Sequence, residues 1–293
     1  TASANAKSYG GSTIFLEEGE QMTVRDILKG IAVASGNDAA VAMGEHISGT
    51  EDLFVEKMNN RAMELGMKNT NFINCNGLDA EGHYSTARDI AIMSRELMKH
   101  DDIFEFTTIW MDSLRNGEFT LSNTNKLIKF YDGATGLKTG STDDAKFCIS
   151  ATAKRGNMHL ISVIMASETS KQRQLDASTL LNYGFSAYAL DEIIKSNAKI
   201  ETLKPEKSTV DHVDVVTDSD YFFIHKKTDK PNISVKKDIK KIKAPAKKGD
   251  CAGTLNIFEN NKKIGDIKLV YATDVPRASY KFVLKNLMKL WII

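Results

Sequence analysis

Apolar positions recur at helical spacing in three stretches of the first hundred residues. Val24, Ile27, Leu28 and Ile31 form one stripe, and Thr23 with Asp26 ahead of it resembles a capping box, with Asp in place of Glu or Gln. Leu53, Phe54, Met58 and Leu65 predict a second helix over 51–65, stopped by Gly66. A third opens at Thr86 and Asp89 and buries Ile90, Met93, Leu97 and Met98. The period then shortens. Strand-like runs at 147–152 and 159–164 flank Lys154-Arg155-Gly156-Asn157, which reads as a hairpin turn. The segment around Lys138 is expected to pair into the same antiparallel sheet. Ala177 to Tyr183 predicts a closing helix packed on it.

Near residue 190 the pattern changes. All four prolines lie beyond this point, lysine becomes dense, and short β-rich runs at 213–216, 221–224, 254–258 and 268–271 alternate with turns. That predicts a small all-β domain over 191–278, after a first domain over 1–190. The lysine runs there read as solvated strand edges that discourage edge-to-edge pairing. In 279–293, Lys281, Lys285 and Lys289 share one helical face, while Phe282, Leu284, Leu287, Met288, Trp291 and Ile292 spread over the others. The segment is too short and too charged to span a bilayer. Its pattern suits a helix in the membrane interface, or equally a terminal helix docked on its own domain.

Composition narrows the choices. The 293 residues carry a net charge of +1, so no global field draws nucleic acid. Cys75, Cys148 and Cys251 are odd in number and far apart, and the histidines do not cluster. Neither a disulfide framework nor a metal site is expected, and no cofactor. The chain opens on Thr1 without an apolar leader, and is expected to be a processed or fragmentary product.

Two short motifs carry chemistry. Ser35-Gly36-Asn37 should sit in a tight turn at the end of the first helix, and Lys138-Thr139-Gly140 should open a strand. Penicillin-recognising serine enzymes combine such motifs with an S-x-x-K run. Amide attack by a serine needs a base, an oxyanion hole and a clamp on the substrate. Lys138 suits a positive field beside that base, with Thr139 as a hydroxyl donor. Gly140 leaves room for a peptide along the strand edge. Ser35 can relay a proton to the leaving amine, and Asn37 can hydrogen-bond the substrate amide. No S-x-x-K precedes Ser35. The run Ser196-Asn197-Ala198-Lys199 follows the other motifs, at the expected domain junction, and is set aside.

Longer stretches resemble the D-alanyl-D-alanine carboxypeptidases, the low-molecular-weight penicillin-binding proteins. They include 10–16, 35–42, 76–79, 84–89, Asn123-Thr124-Asn125, 136–142 and 180–185. The resemblance implies an α/β (α+β) fold. A penicillin-binding sheet flanked by helices is followed by a smaller all-β domain and a C-terminal amphipathic helix. It implies catalytic roles for Ser35, Asn37 and Lys138, and substrate contacts from Thr139, Gly140, the Ser141 N–H in the oxyanion hole, and Arg173 at the peptide carboxylate. The implied activity removes the terminal D-alanine of peptidoglycan pentapeptide through an acyl-enzyme. β-Lactams are the implied inhibitors, and the implied location is peripheral, on the outer face of the cytoplasmic membrane. Nothing here matches the nucleophilic serine and its lysine, so the chain as it stands is expected to be inactive. A class A-like β-lactamase and a non-catalytic wall-peptide-binding protein are the alternatives.

Overall fold

The computed structural model describes residues 1–291, without the side chains of Asn286, Lys289, Leu290 and Trp291. It divides into two compact units, Thr1–Ser186 and Ala187–Ile293.

The first unit begins with a short helix α1 (Ala4–Ser8) and an extended segment, then α2 (Val24–Ala34), α3 (Asn37–Ser48) and α4 (Glu51–Leu65). Thr23 caps α2 by accepting from the Asp26 N–H, as the pattern predicts. Gly66 ends α4 in the left-handed region, at φ 78°. Helix α5 (Ala87–Leu97) starts at the Thr86 cap. Helix α3 was not foreseen. Its first residues are polar, and only Gly36 stands at the cap, with no side chain to signal it. A core forms where Ile14, Val33 and Val41, all fully buried, meet Leu114 and Leu121. Gly30 permits this packing, because a Cβ there would lie 3.0 Å from two carbons of Ile14. Each such buried Leu or Ile is worth about 1.5–3 kcal/mol.

After a short helix α6 (Phe104–Thr107) comes a hairpin of β1 (Met111–Leu114) and β2 (Phe119–Ser122), then α7 (Leu127–Phe130). Strands β3 (Ala134–Thr142), β4 (Lys146–Arg155) and β5 (Met158–Ser167) form an antiparallel sheet in that order. Helix α8 (Ser170–Ala187) covers one face, burying Ala177 and Leu181 against Ile149, Ala151 and Ala153. It is longer at both ends than the apolar pattern marks.

The second unit is β-rich. Strand β6 (Tyr188–Ile194) pairs with β9 (Tyr221–Lys226). A five-stranded sheet contains β7 (Lys199–Leu203), β8 (Val213–Thr217), β10 (Ile233–Ile239), β11 (Cys251–Glu259) and β12 (Lys262–Tyr271), in the order β10-β11-β12-β8-β7. Val213, Val215, Leu255 and Leu269 are buried in its core. Helix α9 (Tyr280–Trp291) follows. Among its described side chains, the exposed apolar ones are Tyr280, Val283, Leu284, Leu287 and Met288, a continuous helical stripe. Phe282 departs from the expected pattern, for it is half-buried and faces 204–211. The expected contributions of Lys289, Trp291 and Ile292 lie outside the described residues.

Candidate active site

Helix α2 ends at Ser35, whose backbone is left-handed (φ 61°, ψ 37°). That conformation costs a non-glycine residue on the order of 1–2 kcal/mol. It reverses the chain at once, so Gly36 caps α3 and Asn37 is its first residue. A Cβ on Gly36 would lie 3.0 Å from Asp38 Oδ1 and 3.2 Å from the Ala39 Cβ, which explains glycine at the centre of the turn.

Two neighbours anchor this turn. The Asp38 carboxylate is buried and accepts from the N–H groups of Ile14 at 3.1 Å, Leu16 at 3.0 Å and Ala39 at 2.8 Å. Arg115 grips the same segment from outside, donating to the carbonyls of Ile14 at 2.9 Å and Phe15 at 3.0 Å while pairing with Glu20 at 2.8 Å. Asn37 is buried and donates from Nδ2 to the Gly10 carbonyl at 2.8 Å, and its own N–H reaches the Ser12 carbonyl at 2.8 Å. Its Oδ1 accepts nothing among the described residues. Gly11 must lack a side chain, since a Cβ there would approach Asn37 Nδ2 to 3.0 Å.

Strand β3 brings the second motif to this turn. Lys138 Nζ donates to Ser35 Oγ at 2.7 Å and to the Thr139 carbonyl at 2.7 Å, although the two residues are 103 positions apart. Burial, and secondarily the charge of Arg173, push the Lys138 amine down to about 8. The burial has a visible source. A cavity of about 250 Å³ between α5 and the sheet is walled by Met93, Leu97, Leu137, Ile149 and Met165, with Lys138 and Thr139 at its lining. Apolar walls give the ammonium little to replace water.

Thr139 is buried, and its hydroxyl lies 2.6 Å from that of Thr124. The flanking asparagines tie the loop down. Asn123 Nδ2 donates to the Ile109 carbonyl at 2.7 Å, and Asn125 Nδ2 to that of Gly136 at 3.0 Å. Gly140 is exposed, with nothing within 4 Å of where a Cβ would stand, so the strand edge is open there. Ser141 is exposed one residue on.

Arg173, on α8, is buried at 4% exposure and reaches the same strand. Its Nη1 donates to the carbonyls of Gly140 and Cys148, both at 3.2 Å, and Nη2 to Ser170 Oγ at 3.2 Å, while Nε has no partner. The guanidinium thus clamps β3 to β4 from within the fold. Ser35, Asn37, Lys138, Thr139 and Gly140 converge, and Arg173 stands behind them. Asp38, Arg115 and Thr124 act at this site without having been singled out. The first and third lie inside the strings 35–42 and 123–125, whereas Arg115 left no signal in the pattern.

The S-x-x-K runs stand elsewhere. Ser196 and Lys199 are in the β-rich unit, with Lys199 paired to Asp214 at 2.9 Å. A second run, Ser234–Lys237, was overlooked in the sequence. It lies on strand β10, where residues three apart point to opposite faces, and Lys237 pairs with Glu201 at 2.8 Å.

Residues 1–169 match the family described as D-alanyl-D-alanine carboxypeptidase, and residues 188–277 match the penicillin-binding protein 5 C-terminal domain. The D-alanyl-D-alanine carboxypeptidase DacF of Bacillus subtilis is 44% identical over 99% of this chain and 76% of its own length. Penicillin-binding protein 5 of Haemophilus influenzae superposes with a TM-score of 0.72 at 29% identity, covering 94% of this chain and 82% of that one. Penicillin-binding protein D2 of Listeria monocytogenes, solved in its ampicillin-bound form, gives a TM-score of 0.55 at 32% identity over 60% of this chain and 74% of that one.

Proposed function

The chain belongs to the D-alanyl-D-alanine carboxypeptidase family, and from that premise we propose that Ser35, Asn37 and Lys138 are placed to move the proton and hold the amide when an S-x-x-K serine, which the first unit does not supply, attacks the peptide carbonyl and the terminal D-alanine leaves. The observation that carries this reading is the 2.7 Å contact between Ser35 Oγ and an amine held near neutrality. An amine with a pKa of about 8 exchanges a proton readily at physiological pH. Through the Lys138–Ser35 contact a proton can pass by way of the Ser35 hydroxyl to the departing nitrogen. Asn37 Oδ1 is free to accept a substrate N–H. A peptide lying along β3 meets no side chain at Gly140, and the Ser141 N–H would face the carbonyl oxygen. Arg173 acts by fixing the strand that receives the peptide, through its bonds to the Gly140 and Cys148 carbonyls.

The match of 188–277 to the penicillin-binding protein 5 C-terminal domain favours this reading over a β-lactamase. The 293 residues provide no S-x-x-K serine in the first unit, and on this reading they bind the peptide without forming an acyl-enzyme. Amide NMR with an acyl-D-alanyl-D-alanine peptide tests both parts. Shifts at Asn37 and Thr139–Ser141, absent with the L,L peptide, are expected, as is an unchanged intact mass after penicillin. A penicillin adduct mapped to any serine, or shifts confined to the β-rich unit, would overturn the reading.

The second unit supports an extracytoplasmic protein held peripherally at the outer face of the membrane. Among the described residues no helix is long and apolar enough to cross a bilayer. The exposed stripe on α9 suits interfacial binding. Deleting 279–293 should release the protein from anionic vesicles.

A further inference from the structure

Helix α9 rises from a ribbon of irregular chain at one end of the five-stranded sheet. Three segments lie side by side there. The Ala244 N–H donates to the Glu206 carbonyl at 3.3 Å, Thr209 to Pro276 at 3.1 Å, and Ala278 to Lys207 at 2.7 Å. Ala246 and Val275 exchange both their backbone bonds. Segments 204–211, 242–248 and 274–278 carry six cations against three acids, Glu206, Asp211 and Asp274. Lys204, Lys207, Lys243, Lys247, Lys248 and Arg277 are all exposed, and none forms an ion pair among the described residues. On the sheet, by contrast, three of the six lysines, Lys199, Lys237 and Lys263, each hold an acid within 3 Å, at 2.9, 2.8 and 2.9 Å.

The unpaired cations adjoin apolar surface. A pocket of about 290 Å³ lies between the ribbon and α9, lined by Lys204, Lys207 and Val210 on one side and by Phe282, Val283 and Leu287 on the other. Val283 and Leu287 also belong to the exposed stripe, at 46% and 51% exposure. The pocket therefore opens from the face that would meet a membrane, with amines beside its apolar wall. This is the arrangement that an anionic amphiphile completes: phosphate against the amines, hydrocarbon against the helix. Edge-blocking does not account for these lysines, because they lie outside the strands.

We propose that this ribbon is a second membrane contact, in which Lys204 and Lys207 bind the headgroup phosphate of an anionic phospholipid while α9 holds its acyl region. The proposal rests on the membrane reading of α9 and adds to it. The helix supplies apolar burial, and the ribbon supplies the preference for anionic lipid.

The test is co-sedimentation of the full chain with vesicles containing about one-third phosphatidylglycerol, or with pure phosphatidylcholine. At about fivefold per lysine near an anionic surface, Lys204→Ser/Lys207→Ser should weaken binding to the anionic vesicles by roughly twenty- to thirtyfold and scarcely alter the weak binding to neutral ones. A matched control, Lys262→Ser/Lys263→Ser, removes the same charge at the far end of β12, roughly 30 Å along the strand, and should lower binding less than about threefold at that distance from the surface. Circular dichroism confirms that each variant is folded. Unchanged binding of the first variant overturns the proposal, and so does an equal loss in the control, which would mean diffuse charge. Full release on deleting 279–293 together with an unaffected double variant leaves the helix reading standing and removes only the ribbon. Undiminished binding after that deletion overturns the helix reading itself. If a soluble glycerol-phosphate polymer binds as well as the vesicles and does so without 279–293, the occupant is a wall polymer and the lipid assignment fails.

Discussion

Replacing Asp38 with alanine removes a buried acceptor that holds the segment before α2 against the start of α3. The carboxylate is 1% exposed and takes N–H bonds from Ile14, Leu16 and Ala39 at 2.8–3.1 Å. A hydrogen bond to a charged partner nets about 1.5–3 kcal/mol, and an abandoned buried N–H costs about 1–3 kcal/mol. Ile14 and Leu16 are themselves buried, so water cannot readily replace the carboxylate. The desolvation of the ion in the wild type offsets part of the sum. A loss on the order of 3–5 kcal/mol for Asp38→Ala follows. Asp38→Asn should lose about half as much, because the amide oxygen keeps the Ala39 bond while the NH₂ group confronts the Leu16 N–H. Urea denaturation followed by far-ultraviolet circular dichroism measures both. A loss below about 1 kcal/mol for alanine, or equal losses for alanine and asparagine, would refute the reasoning. The same loosening should reach the site, because Asn37 leans on the carbonyls of Gly10 and Ser12 in that segment.

Three further outcomes follow from the same geometry. Ser35→Gly should be more stable than Ser35→Ala by about 1 kcal/mol, since both lack the hydroxyl and only alanine keeps a Cβ in the left-handed turn; thermal melts of the two variants decide it. Arg173→Met removes donors from the Gly140 and Cys148 carbonyls, should cost on the order of 2–3 kcal/mol in urea denaturation, and should move the Lys138 amine upward. Because the Lys138 pKa is depressed in the fold, the unfolded chain binds more protons between pH 8 and the ordinary lysine value. The penalty is therefore complete below pH 8 and fades as pH rises. Wild-type stability measured relative to Lys138→Met should climb by about 3 kcal/mol across that window, and a pH-independent difference would contradict it.

The helices that bury a stripe were legible in the sequence because capping and period agree. Thr23, Gly66 and Thr86 stand at the boundaries of α2, α4 and α5 that the pattern marks. Helix α3 was hidden because its start is polar and its cap is a glycine. Strand β10 was hidden because five of its seven residues, Ser234 to Asp238, are exposed, so alternation never shows. At the site, Ser35 and Lys138 could be paired from motif order, but the support beneath them could not. Asp38 looks like any acid in the first turn of a helix, and Arg115 is separated by about a hundred residues from the carbonyls it holds. Such contacts depend on the tertiary fold and leave no local period. Arg173 was expected at the peptide carboxylate by position, whereas its burial behind β3, reaching main-chain carbonyls, could be read only from the structure.

Titration of Lys138 itself most directly tests whether this cleft holds a proton-transferring amine. Selective ¹³Cε labelling of lysine, with the Lys138 resonance assigned by its loss in Lys138→Arg, reports the amine in the folded chain. A midpoint near 8 is expected, displaced upward in Arg173→Met. A midpoint at the ordinary lysine value of about 10.4, unmoved by that substitution, would contradict the claim that this cleft holds a proton-transferring amine beside Ser35.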